Sequence, residues 1–152
     1  MTKTKTVLLD EERTAVALRF GVTVDGQDLG PFTGIKGLVV EHEVMEWAEG
    51  GQNAHVQRLP GRLRHPQDLV LSRCTDPRTV KLATWFERTR RARVVHPGAI
   101  TAYDGDEQVV AVWQLFDVWP LRYSGPVLDT LLGGPARETL ALAHGGFVVR
   151  PS

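Results

Sequence analysis

The chain has 152 residues, enough for one domain with a core of its own, and its composition of 42% apolar and 24% charged residues is that of an ordinary globular protein. Lys plus Arg and Asp plus Glu each number 18, so the formal charge is zero, which argues against a general nucleic-acid binder and suits a surface that meets copies of itself. A single cysteine, Cys74, excludes an internal disulfide and a cysteine zinc cage, and it reads as a small, partly buried residue. No stretch approaches membrane-spanning length, and Val7-Leu8-Leu9 is too short for the apolar core of a signal peptide. The chain is therefore expected to be made and to fold in the cytoplasm, with no membrane anchor.

Residues 1–14 read as a flexible N-terminal arm, and residues 15–152 as a single domain. Val16, Leu18, Phe20, Val22 and Val24 alternate as in a strand with one buried face, and Asp25-Gly26 then supplies a turn. Residues 27–37, rich in Gly and Pro, are expected to form a loop or irregular edge. A second strand is expected over Leu38–Trp47, with Glu41, Glu43 and Glu46 among its apolar residues. An extended arm at about 46–68 follows. It holds few large apolar residues, and a connection of that length without structure of its own is usually functional or disordered. Gly50-Gly51 gives it a hinge, Pro60 stiffens its far end and Gly61 turns the backbone. Val56 and Leu59 are the expected anchors on another subunit, with Arg58 and Arg62 available to that subunit's carboxylates.

Leu69-Val70-Leu71 restores strand character. Thr75-Asp76-Pro77 predicts a helix start, with Pro in the first turn. Leu82, Ala83, Trp85, Phe86 and Thr89 fall on one side of that helix, and Arg88, Arg90, Arg91 and Arg93 crowd its C-terminal end. Asp104-Gly105 predicts a tight hairpin with positive φ at Gly105. The arm after it is apolar on both faces, with Val110, Val112, Phe116 and Val118 on one and Val109, Ala111, Trp113 and Leu115 on the other, so it should be a central strand. Residues 120–137 are again broken by Gly and Pro. Glu138–Val149 reads as a last strand with Leu140 and Leu142 inward. The total is about six mostly antiparallel strands and one packed helix, a mainly β fold of the barrel or sandwich class.

Chemistry finds little purchase. Glu41, Glu43, Glu46 and Glu49 could serve as paired acid and base, but no fixed cleft surrounds them, and pairing with a neighbour's arginines or plain solvation is expected instead. His42, His55, His65, His96 and His144 show no metal-ligand spacing. Gly50-Gly51 lacks the setting of a phosphate cradle, and Ser72, Ser124 and Ser152 lack that of a nucleophile elbow. No catalytic, cofactor-binding or metal-binding residue is expected, and the chain is not expected to be an enzyme. The arginines at 62, 64, 73 and 88–93 could touch phosphates, which keeps a small nucleic-acid-binding β-barrel as an alternative from another class. Their expected role is to cap the helix end and to pair with carboxylates of an adjoining subunit.

Five motifs in order carry a family resemblance. They are Glu49-Gly50-Gly51 with Asn53, Leu59-Pro60-Gly61-Arg62, Trp119-Pro120, Ser124-Gly125-Pro126, and Leu142-Ala143-His144 with Gly146. On the strand pattern above, over residues 15–149, the chain resembles the tail-tube proteins of contractile phages and of phage-tail-like contractile injection systems, distant relatives of type VI secretion tube proteins. The resemblance implies stacked six-membered rings forming a rigid hollow tube, propelled by a contracting sheath, with effector cargo in the lumen. Its partners would be other copies, the sheath protein, the baseplate and the tube initiator, with nucleic acid only as passing cargo in a phage. No catalytic residue comes with it. The extra residues at 1–14, His65-Pro66-Gln67-Asp68 and "DTLLGGP" at 129–135 depart from the family pattern, and leave a baseplate-proximal tube initiator as an alternative.

Overall fold

The computed structural model describes residues 19–48, 50–51 and 56–150. The predicted N-terminal arm, and residues 15–18 of the first predicted strand, lie outside them. β1 (Arg19–Val24) buries Val22 and Val24. Asp25 and Gly26, both with positive φ (52° and 71°), then turn the chain back into β2 (Gln27–Phe32), which pairs antiparallel with β1. The sequence predicts a loop or irregular edge here. The Gly and Pro that suggested it instead sit in a short edge strand that still buries Leu29 and Phe32, and the pairing register slips opposite Gly21 and Thr23.

After Thr33 the chain continues as β3 (Gly34–Lys36), which pairs with β6 (Leu69–Cys74). One run of residues therefore pairs first with β1 and then with β6. The strand order β2-β1-β7-β8-β9-β6-β3 begins and ends on the two halves of that run, so the sheet closes into a barrel. The remaining elements are β4 (Glu41–Trp47), β5 (Gln57–Arg64), α1 (Thr79–Ala92), β7 (His96–Tyr103), β8 (Val109–Ser124), β9 (Arg137–Ala143) and β10 (Gly146–Arg150). The barrel core holds Val22, Phe32, Leu71, Ile100, Leu115 and Leu140, all fully buried, and α1 adds Leu82 and Trp85 to it. The helix begins at Thr79, two residues beyond the predicted proline start. Asp76 instead accepts the Arg78 N–H at 2.7 Å, which holds Pro77 in a turn ahead of the helix.

β8 is the central strand its sequence predicts, flanked by β7 on one side and by β9 and β10 on the other. Its faces do not alternate as expected. Asp117 takes a left-handed conformation (φ 51°), so Leu115 and Val118 both point into the core while Phe116 is exposed. Opposite that bulge, Gly145 N–H donates to Phe116 C=O at 2.7 Å. The predicted last strand bends there and divides into β9 and β10. The β7–β8 loop also differs from the prediction. Asp104 accepts the N–H groups of Asp106 and Gln108 on its carboxylate, and the left-handed residue is Glu107 (φ 60°), not Gly105. The loop is longer than a two-residue turn, so the positive φ moves to its end.

One buried network ties the barrel seam together. Arg73 (β6) donates to Glu138 (β9) at 2.6 Å and to the Leu29 carbonyl (β2) at 3.1 Å. Glu138 also accepts the hydroxyls of Thr79 at 3.1 Å and Tyr123 at 2.7 Å. Pairing also brings Arg19 beside Tyr103, Tyr103 beside Val109, and Arg150 beside Val112, all at one edge of the sheet.

Candidate assembly surface

The far half of the predicted arm is a strand. β5 pairs with β4 along its length in a two-stranded sheet separate from the barrel. The arm is thus a β-hairpin: β5 runs antiparallel beside β4, and between them Gly51 takes a positive φ of 112°. Glu49 and Asn53, two of the residues singled out for assembly, lie outside the described residues. The register divides the hairpin into two faces. Met45 opposes Leu59 and Trp47 opposes Gln57 on one; Glu46 opposes Arg58 and Val44 opposes Pro60 on the other, which His42 and Leu63 join across a bulge in β5. Gly61 lies at the bulge opposite Glu43, and a Cβ there would come within 2.9 Å of the Glu43 carbonyl oxygen.

The charges of the hairpin satisfy themselves on both faces. Arg58 pairs with Glu46 at 3.7 Å, and Arg64 with Glu41 at 2.8 Å and Glu43 at 3.7 Å. These carboxylates were expected to wait for a neighbour's arginines; their partners are instead across the hairpin. Its large apolar side chains have no such partners. Met45, Trp47, Leu59 and Leu63 are 60%, 62%, 51% and 51% exposed, and Val56 at the turn side is 57% exposed. A two-stranded sheet with a bare apolar face is marginal alone, and a cluster of this kind marks a surface made to be covered. At its base the hairpin is held by His65, which packs edge-on against Phe147 and His144 at centroid distances of 5.0 and 5.7 Å.

The other singled-out residues sit elsewhere. Trp119 and Pro120 lie in β8, the tryptophan half exposed and the proline buried at a register shift, where its missing N–H is tolerated. Gly125 and Pro126 open the β8–β9 loop. Asp104 and Gly105 begin the β7–β8 loop at the opposite end of β8. These positions are not gathered into one place. Sequence reasoning passed over Met45 and the apolar residues of the β8–β9 loop, Val127, Leu128, Leu131 and Leu132. The signal was present as "VLDTLL", an apolar run in a segment bounded by Gly-Pro and Gly-Gly-Pro.

Nothing in the described residues gathers three metal-ligating side chains. The helix arginines are engaged locally. Arg90 and Arg91 both reach Glu87, at 2.7 and 3.5 Å, and Arg88 donates to Gln27. Its hydrogen bond from Arg90 holds the Glu87 carboxyl below the usual carboxylate range, with the two positive charges adding to it. Cys74 is exposed rather than partly buried. No described helix is long and apolar enough to cross a membrane.

The profile of the T4-like virus tail tube protein gp19 family matches residues 16–148, nearly the whole chain. The chain belongs to that family. This tail tube protein also has the fold of solved structures. A chain of the extracellular contractile injection system PVC sheath–tube complex in its extended state superposes with a TM-score of 0.78 at 18% identity, covering 100% of both chains. A chain of the 6-fold symmetrised anti-feeding prophage (AFP) baseplate gives 0.72 at 25% identity, covering 92% of this chain and 97% of that one. Hcp1 from Salmonella typhimurium gives 0.51 at 12% identity, covering 88% and 93%. No curated protein matches the sequence. The mainly β barrel with one helix is thus the tail-tube fold.

Proposed function

We propose that this tail tube protein is the structural subunit of the inner tube of a contractile injection system or phage tail. Six copies close a ring around a lumen, rings stack, and a contracting sheath propels the tube. The family match over residues 16–148 carries this reading. Two features of the subunit support it. The β4–β5 hairpin offers an apolar face that nothing covers, and the outer edge of β10 has no partner strand among the described residues. Free edges and bare apolar faces are liabilities in a monomer and are resolved by joining copies.

Within the hairpin, Leu59 and Val56 are the anchors on a neighbouring copy, and Gly50, Gly51, Pro60 and Gly61 shape the strand pair that presents them. Arg58 is held by Glu46 across the hairpin, while Arg62 has no ion-pair partner among the described residues and is the cation available to a neighbour. Sheath, baseplate and tube-initiator proteins are the other partners, and effector cargo occupies the lumen. Assembly takes place in the cytoplasm, and the role involves no catalysis. Nucleic acid enters only as cargo passing through a phage tail.

A second reading, the baseplate-proximal tube initiator, is favoured by the AFP baseplate chain, the relative at 25% identity. Negative-stain electron microscopy of the purified protein, alone and co-expressed with its sheath, tests both. Open-ended tubes support the bulk subunit, and single rings that elongate only with a second tube protein support the initiator. Monomer under every condition would sink both.

A further inference from the structure

Two apolar features lie at opposite ends of the helix, and neither is covered within the subunit. The first is the β8–β9 loop, residues 125–136. Leu128 and Leu131 in it are 86% and 92% exposed, and Leu132 is 64% exposed. Asp129 lies among them and forms no ion pair with any described residue. The second is a hollow of about 400 Å³ at the C-terminal end of α1. Its walls are Val94, Val95, Trp119 and Pro120, and Arg90 and Arg93 stand at its rim. Arg90 already holds Glu87, whereas Arg93 has no carboxylate partner among the described residues.

The loop does not fill this hollow in its own subunit: no loop residue lines it, and the loop's leucines are exposed. Thr75 N–H donates to the Ala136 carbonyl at 2.8 Å, which pins the end of the loop beside the start of the helix. The 14 residues of α1 put about 20 Å between that end of the loop and the hollow, at 1.5 Å per residue. A projecting apolar loop at one end and a matching hollow at the other is the geometry of a head-to-tail contact between identical copies. The polar groups match as well, since a loop carboxylate that accepts only the Leu131 N–H, at 2.8 Å, and has no ion pair among the described residues meets one unpaired guanidinium at the hollow.

We infer that the β8–β9 loop of one copy docks in the hollow between α1 and β8 of the next. Leu131 and Leu132 enter against Val95 and Trp119, and Asp129 pairs with Arg93. This inference rests on the tube reading and adds a second contact, distinct from the hairpin.

Cysteine pairing tests it directly. In a Cys74→Ser background, Val95→Cys and Leu131→Cys are introduced together and separately, and the assembled protein is oxidised. The double variant should give a ladder of covalently joined copies on a denaturing gel, and the single variants should give none. A parallel variant, Leu131→Asp with Leu132→Asp, changes only exposed side chains. It should melt as wild type does and assemble at least about tenfold less well, as loss of a buried anchor pair implies. Tubes that form normally with no ladder, or an Asp variant that assembles like wild type, would overturn the docking while leaving the tube reading intact. Failure of the wild-type protein to form rings or tubes, even with its sheath, would overturn both.

Discussion

Glu138 is fully buried, and its oxygens accept from Arg73, Thr79 and Tyr123. Glu138→Ala leaves the Arg73 guanidinium buried without its partner, so it should cost about 3–5 kcal/mol in denaturant unfolding. Tyr123 responds to the same carboxylate. Burial, and then the hydrogen bond to Glu138, push its phenol up from 10.0 to about 12. The folded chain therefore keeps a proton that the unfolded chain releases. That contribution is whole below pH 10 and is lost as the pH rises towards about 12. Tyr123→Phe should cost about 1–3 kcal/mol at neutral pH, because one Glu138 oxygen loses its donor. It should also flatten the alkaline fall in melting temperature; an unchanged slope would mean the phenol is not what titrates. At the β7–β8 loop the strain belongs to Glu107. Glu107→Val should cost about 1–3 kcal/mol, since a β-branched residue resists positive φ, while Gly105→Ala should lie within about 0.5 kcal/mol of wild type. Thermal melts that rank the two the other way would return the strain to Gly105.

Among the elements, the β4–β5 hairpin has the least support from its own subunit. Its ladder runs the length of both strands with one bulge, but β4 and β5 make their substantial contacts with one another. A ladder without a packed face opens easily. Amide hydrogens over residues 57–64 should exchange quickly in the isolated subunit, and about a hundredfold more slowly in the assembled tube. Equal, strong protection in both states would show that the hairpin packs on its own barrel. Leu59→Asp should leave the melting temperature unchanged and stop assembly. The hairpin was only half legible in the sequence. "GLVVEHEVMEW" reads as a strand, but "QRLPGRLR" has polar or charged residues at half its positions and a Pro-Gly in its middle, and strand propensity rejects it. What makes it a strand is the partner already laid down beside it, and what makes its apolar face useful lies outside the subunit. The same holds for the β8–β9 loop, whose leucines have no periodicity because no element of this chain buries them. The barrel strands were legible because their burial is internal, as in Val22 and Val24 or Leu140 and Leu142.

At the scale of the whole molecule, closure depends on Thr33, where one run of chain changes partners, and no alternation pattern announces such a switch. The bulge at Asp117 is equally silent in the sequence, since any residue in the middle of an apolar strand reads as more strand. Pairing at the sheet edge has a different kind of consequence. Arg19 and Arg150 lie at the same edge, on strands β1 and β10, with β7 and β8 between them. Three strand spacings amount to about 14 Å, a gap that about five or six added residues can bridge. The order of the elements along the chain is therefore not the only order that can build this barrel. A circular permutant that joins Arg150 to Arg19 through such a linker, and opens between Gly133 and Gly134, keeps every strand pairing intact. It should fold to the same far-UV circular dichroism spectrum, with a single thermal transition. Loss of that transition would mean that the connectivity, and not only the set of pairings, is needed to reach the fold.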